Sequence, residues 1–262
     1  MDKVLNLCYN EIYLKERRIT MKLLIIRHGD PDYSIDSLTE KGHREAEMLA
    51  ERIAPMNIAA YYVSPLGRAQ ATAEYTLKKC GRTAETLDWL HEFDRNLIIG
   101  LDGQRRIAWD MLPKDWTAVP EYYDKDKWTD VPVMAEADMR NGIAYVQNGL
   151  DALLAKHGYE RNGNYYNAVR PNEDNIALFC HFGVECVMLG HLLGISPMLL
   201  WHGFMAAPTS VTTVCTEERR EGIAYFRVTA FGDISHLNAN GEPPAFAGRF
   251  CETFSNFEQR HD

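Results

Sequence analysis

Positive charge is in short supply in this sequence. Its 262 residues carry 28 Lys and Arg against 37 Asp and Glu, a formal net charge of −9 at pH 7. So acidic a chain is a poor general ligand for nucleic acid or an anionic membrane surface, since both depend on clustered Lys and Arg. Affinity for an anion must come from a local basic pocket set against the global charge. Long apolar runs are missing too. None reaches the roughly 18 residues of a membrane span, and the longest stretch, 186–201, is interrupted by Gly190, His191, Gly194 and Pro197. The six cysteines (Cys8, Cys80, Cys180, Cys186, Cys215, Cys251) include no C-x-x-C pair. That argues against a zinc site or a disulfide framework and for reduced thiols in a cytoplasmic protein. The sequence also shows no repeats and no low-complexity tracts. With 46% apolar and 25% charged residues, the composition is globular rather than disordered, collagenous or coiled-coil.

Residues 1–20 stand apart. Asp2, Lys3, Glu11, Lys15, Glu16, Arg17 and Arg18 surround short apolar pieces, so no secretory apolar region is expected. Residues 15–18 are encodable by a purine-rich run resembling a bacterial ribosome-binding site, just upstream of Met21. The expectation is that 1–20 is a non-native or leader extension and that 21–262 forms a single domain.

Apolar runs and helical periodicity alternate along the rest. Residues 22–27 read as a buried strand, 39–55 as a helix capped by Thr39 and stopped by Pro55, and 59–63 as a second strand. Ser64-Pro65 predicts an N-cap with proline in the first turn of a helix that ends at Gly81. Residues 86–90 read as a third, weaker strand. The stretch 95–135 has no clean period but carries Trp109, Trp116, Tyr122, Tyr123 and Trp128; its length predicts an inserted cap. Most of these rings are expected to pack, with one or two facing a ligand. Helices are predicted over 136–157 and 183–193, the second after a strand at 175–180. Strands at 211–216 and 223–231 are expected to pair across the charged turn 217–222. This alternation predicts an α/β domain.

Three strand ends deliver the same kind of group. Arg27-His28-Gly29 follows the first strand, Ser64-Pro65-Leu66-Gly67-Arg68 the second, and His181-Phe182-Gly183 the 175–180 strand. Ligands of open α/β sheets sit beyond the carboxyl ends of strands, so Arg27, His28, Arg68 and His181 are expected in one basic pocket. Two guanidiniums can grip a phosphoryl group bidentately, and the helix N-terminus after Gly183 adds N–H donors. Neighbouring positive charge should keep His28 neutral and nucleophilic toward phosphorus. His181 suits stabilisation of charge on the transferring group. Glu92 is the candidate general acid, with Asp94 as its alternative. Arg68 in a helical first turn opposes the helix dipole, which calls for a nearby anion. His91, His157, His191 and His202 read as loop, helix-end or packing residues, and His236 as a support behind the pocket. Thr209 and Ser210 either cap a strand or orient His28. No histidine pair has H-E-x-x-H spacing, so no metal ligand is assigned.

These landmarks come in a telling order: Arg27-His28-Gly29, Leu38-Thr39-Glu40-Lys41-Gly42, Ser64-Pro65-Leu66-Gly67-Arg68-Ala69-Gln70-Ala71-Thr72-Ala73, Glu92 and His181-Phe182-Gly183. Pro208-Thr209-Ser210-Val211-Thr212 and Gly232-Asp233-Ile234-Ser235-His236-Leu237 then follow. The set, spanning 22–237, resembles the histidine phosphatase (phosphoglycerate mutase-like) superfamily. The resemblance implies a three-layer α/β/α fold with a mixed, mostly parallel central sheet, while the 95–135 insert, expected as a cap from its length, matches no assigned part of the family. It implies a phosphohistidine on His28, Glu92 as proton donor, and phosphate binding by Arg27, Arg68 and His181, with Phe182 at the substrate. No cofactor or metal is implied, and the partner is a small phosphorylated substrate, with oligomeric state open between monomer and homodimer.

Mutases of the family carry Glu-Ser-x-Trp-Asn after Arg-His-Gly, and Glu-Arg-x-Tyr-Gly around the acid. Here those positions read Asp30-Pro31-Asp32-Tyr33-Ser34 and Glu92-Phe93-Asp94-Arg95-Asn96. The departures favour transfer to water, a phosphomonoesterase. Mutase-like transfer and a non-catalytic binder of phosphorylated ligands are the alternatives, and a metal-dependent hydrolase is the weakest.

Overall fold

The computed structural model describes residues 20–100, 103–245, 253, 255 and 256. Of the expected leader only Thr20 falls among them; the rest of that expectation lies outside the described residues. The first strands in chain order are β1 (Lys22–Arg27), β2 (Pro31–Asp32), β3 (Ser37–Leu38), β4 (Ile58–Val63), β5 (Glu85–Thr86), β6 (Ile98–Ile99) and β7 (Arg105–Arg106). They are followed by β8 (Tyr159–Asn162), β9 (Tyr165–Ala168), β10 (Asn175–Cys180), β11 (Val211–Arg220) and β12 (Ile223–Asp233). Helices are α1 (Glu40–Ile53), α2 (Gly67–Cys80), α3 (Pro113–Trp116), α4 (Pro132–Glu136), α5 (Met139–Lys156), α6 (Phe182–Leu193), α7 (Pro197–Gly203) and α8 (Ser235–Ala239).

Eight strands form one sheet in the order β5-β4-β10-β1-β11-β12-β9-β8. Its core, β5 through β1, is parallel. From β11 onward each strand runs antiparallel to its neighbour. The α/β fold is thus a mixed sheet with a mostly parallel core and helices around it. Strand β1 shows why its run is apolar throughout: both of its faces are covered. Leu23 and Ile25 enter one core with Tyr62, Leu178, and residues of α5, α6 and the 95–135 segment. Leu24 and Ile26 enter the other with Leu49 and Ile53 of α1 and Ala69 and Ala73 of α2.

Helix α1 begins as expected, with Thr39 Oγ1 accepting from the Gly42 N–H. Other boundaries moved for identifiable reasons. Helix α2 starts at Gly67, with Leu66 in extended backbone at its N-cap position and no side-chain cap bond. The strand expected over 86–90 stops at Thr86 and gives way to a 3-10 turn at Asp88–Leu90. The helix expected over 136–157 is split by Asp138 at φ 53° into α4 and α5. The 159–168 hairpin and α7 had no expectation. The pair β11–β12 runs longer than expected, leaving a tighter turn at 221–222.

Segment 95–135 folds into the β6–β7 hairpin, α3, the start of α4, and 3-10 turns at Pro120–Tyr123 and Trp128–Asp130. Tyr122 and Trp128 are buried, and Trp128 meets Trp201 of α7 edge-on. Trp116 stacks on His202 at 4.9 Å between ring centroids. Only Trp109 of the five aromatics lines the cavity described next.

Candidate active site

Strands β1 and β10 pair so that Arg27 lies beside Cys180. His28 and His181 are the next residues on each, and their rings stand 5.1 Å apart. Both are buried, together with Arg27 and Arg68. The four residues expected at three strand ends are therefore brought together. A cavity of about 250 Å³ opens over them, lined by Arg27, Arg68, Glu92 and Phe182, with Tyr33, Asp94, Ile107 and Trp109 completing the wall. The two buried imidazoles are not among its lining residues, and a separate apolar cavity of about 590 Å³ inside the insert shares no lining residue with it.

The hydrogen bonds of His28 set its reactive atom. Nδ1 lies 2.7 Å from the Gly29 carbonyl oxygen, which can only accept. The proton of the neutral ring therefore sits on Nδ1 and the lone pair on Nε2. Burial, and after it Arg27, pushes the His28 pKa well below its usual value, so the neutral ring persists in acid. His181 is shifted the same way, by burial first and then by His28 and Arg68. Its Nε2 lies 2.7 Å from Ser64 Oγ, which also accepts from the Leu66 N–H. Filling the network with the Ser64 proton on Nε2 assigns the His181 proton to Nδ1, an atom with no partner among the described residues.

The two guanidiniums are held from behind. Arg27 Nη1 donates to the Ala206 carbonyl, and the Phe182 ring lies 5.9 Å from its Cζ. Arg68 Nη1 donates to Asp36 Oδ1 at 2.6 Å, and the Gly67 N–H donates to Asp36 Oδ2 at 2.7 Å. The anion demanded by Arg68 at a helix start is thus internal. Tyr33 covers the same guanidinium, 5.4 Å from its centroid. Thr72 ties the two motifs together, accepting from the Gly29 N–H and donating to the Arg68 carbonyl. Behind the pocket, Thr209 has φ 58° and donates its N–H to the His28 carbonyl. His236 Nε2 donates to Thr209 Oγ1 at 3.1 Å and so holds this sparsely allowed conformation. His236 therefore stands where the sequence suggested.

Glu92 Oε1 accepts two backbone N–H groups, from Phe93 at 2.7 Å and from Val184 in the first turn of α6 at 3.1 Å. Burial raises its pKa; the Phe93 N–H and Arg27 oppose that, and Asp94 adds to it. Asp94 is 40% exposed at its side chain, 3.5 Å from His91 Nδ1. Of the two candidate acids, Glu92 is the one held by two backbone N–H groups. Sequence reasoning missed Asp36, Tyr33 and Glu185. The last is a fully buried carboxyl beneath the site, bonded to Thr212 and pushed up to about 7, chiefly by burial. Only Ser64 carried a usable signal, its place in a recognised motif.

The chain is similar to known proteins in sequence and in fold. Phosphoserine phosphatase 1 of Hydrogenobacter thermophilus is 23% identical over 220 residues, 80% of this chain and 93% of that one. A probable phosphoglycerate mutase, GpmB of Cronobacter sakazakii, is 30% identical over 87 residues, 30% of this chain and 40% of that one. Among solved structures, phosphoglycerate mutase from Bacillus anthracis superposes with a TM-score of 0.57 at 17% identity, covering 85% of this chain and 97% of its own. A phosphoserine phosphatase mutant from Entamoeba histolytica in complex with phosphoserine gives 0.53 at 19% identity, covering 83% and 99%. The sequence model of the histidine phosphatase superfamily, branch 1, matches residues 23–229, and the chain belongs to that superfamily.

Proposed function

We propose that the protein is a phosphomonoesterase that transfers the phosphoryl group of a small ester to His28 and then to water. One observation carries the reading: the Gly29 carbonyl fixes the His28 proton on Nδ1, which leaves Nε2 unprotonated in a buried cluster with His181 and two guanidiniums. In the first step Nε2 attacks phosphorus and the bond to the leaving oxygen breaks. Arg27, Arg68 and the His181 Nδ1–H balance the charge on the transferring group. The raised pKa of Glu92 keeps a proton available for the leaving alcohol. In the second step the Glu92 carboxylate takes a proton from water as the water oxygen attacks phosphorus. The N–P bond then breaks, inorganic phosphate leaves, and Glu92 is again protonated.

Segment 95–135 acts in this scheme as the cap of a single domain spanning 21–262. Trp109 and Ile107 supply its cavity-facing surface. The scheme uses no metal or cofactor and suits a cytoplasmic protein, and full activity is expected in chelator. The phosphoserine phosphatase relative supports water as acceptor over a second hydroxyl group. His28→Ala is expected to abolish both phosphate release and a trapped, acid-labile phosphoenzyme. Retained turnover would remove the mechanism. Glu92→Gln should slow turnover by roughly 10²–10⁴-fold, and a negligible change would reassign the acid, with Asp94 next in line.

A further inference from the structure

The cavity lining has two chemistries. Arg27 and Arg68 carry positive charge, whereas Tyr33, Asp94, Ile107 and Trp109 offer a carboxylate and aromatic or apolar surface. Once phosphate occupies the guanidiniums, the alcohol half of an ester must sit against the second group. Arg27 and Arg68 are the cations among the lining residues, and a phosphate dianion engages both. Among the described residues no third cation lines the wall to receive a second anionic group. Asp94 stands there instead, with its side chain 40% exposed. A carboxylate acceptor discriminates sharply in favour of groups that donate hydrogen bonds and against other anions. The indole N–H of Trp109, 7% exposed, finds no acceptor among the described residues. It would satisfy a neutral oxygen on the same ligand. At about 250 Å³ in all, the space lies below the roughly 300 Å³ at which drug-sized pockets begin.

We propose, resting on the phosphatase reading above, that the leaving half of the substrate is a small alcohol bearing hydroxyl or ammonium donors and no carboxylate, selected by Asp94. The substrate class is therefore polyol or amino-alcohol monophosphates, as opposed to phosphorylated acids.

A matched pair tests this. Glycerol 1-phosphate and 3-phosphoglycerate differ only in a hydroxymethyl group against a carboxylate. Phenyl phosphate carries neither and serves to normalise the rates. For the wild type, kcat/KM is expected to favour glycerol 1-phosphate by at least about tenfold, with phosphoethanolamine also ahead of 3-phosphoglycerate. Asp94→Asn should narrow the first ratio to within about threefold, and Asp94→Lys should invert it. Equal or better use of 3-phosphoglycerate by the wild type, or a ratio unmoved in Asp94→Asn, would overturn the inference while leaving the phosphatase reading intact. If none of these esters is hydrolysed, phenyl phosphate included, the phosphatase reading falls and this inference with it.

Discussion

A single methyl group at Gly183 tests how tightly the acid is held. Gly183 stands in the first turn of α6, where the Trp109 ring and the Glu92 carboxylate both press on its Cα. A Cβ there would lie 2.3 Å from Trp109 Cζ3, 2.5 Å from Cη2 and 2.7 Å from Glu92 Oε1. Carbon contacts are favourable from about 3.5 Å, so the indole must retreat by about 1 Å and the carboxylate by somewhat less. Neither has an easy way out. Trp109 packs on Trp201 at 5.9 Å between centroids, and Glu92 is pinned by the Phe93 and Val184 N–H groups. Overpacking of this kind costs about 1–3 kcal/mol of stability, and a displacement of about 1 Å near the reacting atoms costs on the order of 10²-fold in rate. Gly183→Ala is therefore expected to fold with a lowered Tm and to lose about 100-fold in kcat on an alkyl phosphate. The loss should be much smaller on p-nitrophenyl phosphate, whose leaving group departs without a proton. Gly203→Ala is the control, since nothing lies within 4 Å of its Cβ position. Wild-type kcat on the alkyl ester together with an unchanged Tm would refute the reasoning.

Ser64→Ala removes the bond that orients His181; with a net worth of about 1 kcal/mol, it should lower kcat/KM five- to tenfold in steady-state assays and barely move Tm. The pH–rate profile should be lopsided. Activity falls as pH rises through the raised Glu92 pKa, because the acid loses its proton, while the depressed His28 pKa keeps the nucleophile neutral well below the usual 6.5. Glu92→Gln should flatten the alkaline limb. Stability carries its own pH dependence: the folded protein holds the Glu185 proton up to about 7, whereas the ordinary value is 4.5. The native state thus binds more protons across that window, and stability falls as pH rises through it. Denaturant titrations from pH 4.5 to pH 7 should show a shallower decline in Glu185→Gln than in the wild type.

The basic cluster of the site was legible because its residues sit at the ends of strands with unmistakable apolar runs. Arg27, His28 and His181 had only to be placed on β1 and β10, and the carboxyl-end rule did the rest. Glu92 was harder to place: the strand expected before it ends at Thr86, and Glu92 follows a 3-10 turn, fixed by the N–H of Phe93 beside it and of Val184, 92 residues away. Asp36 left no trace at all. Its role depends on a two-stranded hairpin bringing it against Gly67 and Arg68, a contact that no local periodicity encodes. The N-cap assigned to Ser64 falls two residues early, since helix α2 takes Leu66 at that position, and the Ser64 hydroxyl also serves a histidine 117 residues away.

The spacing of the two histidines has a wider consequence. Neighbouring strands in any sheet lie about 4.8 Å apart, and the His28 and His181 rings, one residue past a paired Arg27 and Cys180, stand 5.1 Å apart. The gauge of the reaction centre is therefore that of the backbone ladder itself. Loops around it can lengthen, shorten or be exchanged without recalibrating the chemistry, provided the ladder keeps its register. A change of ligand then needs only the loops around the ladder rewritten, Asp94 and the 95–135 segment among them, whereas a one-residue slip between β1 and β10 would part His28 from His181.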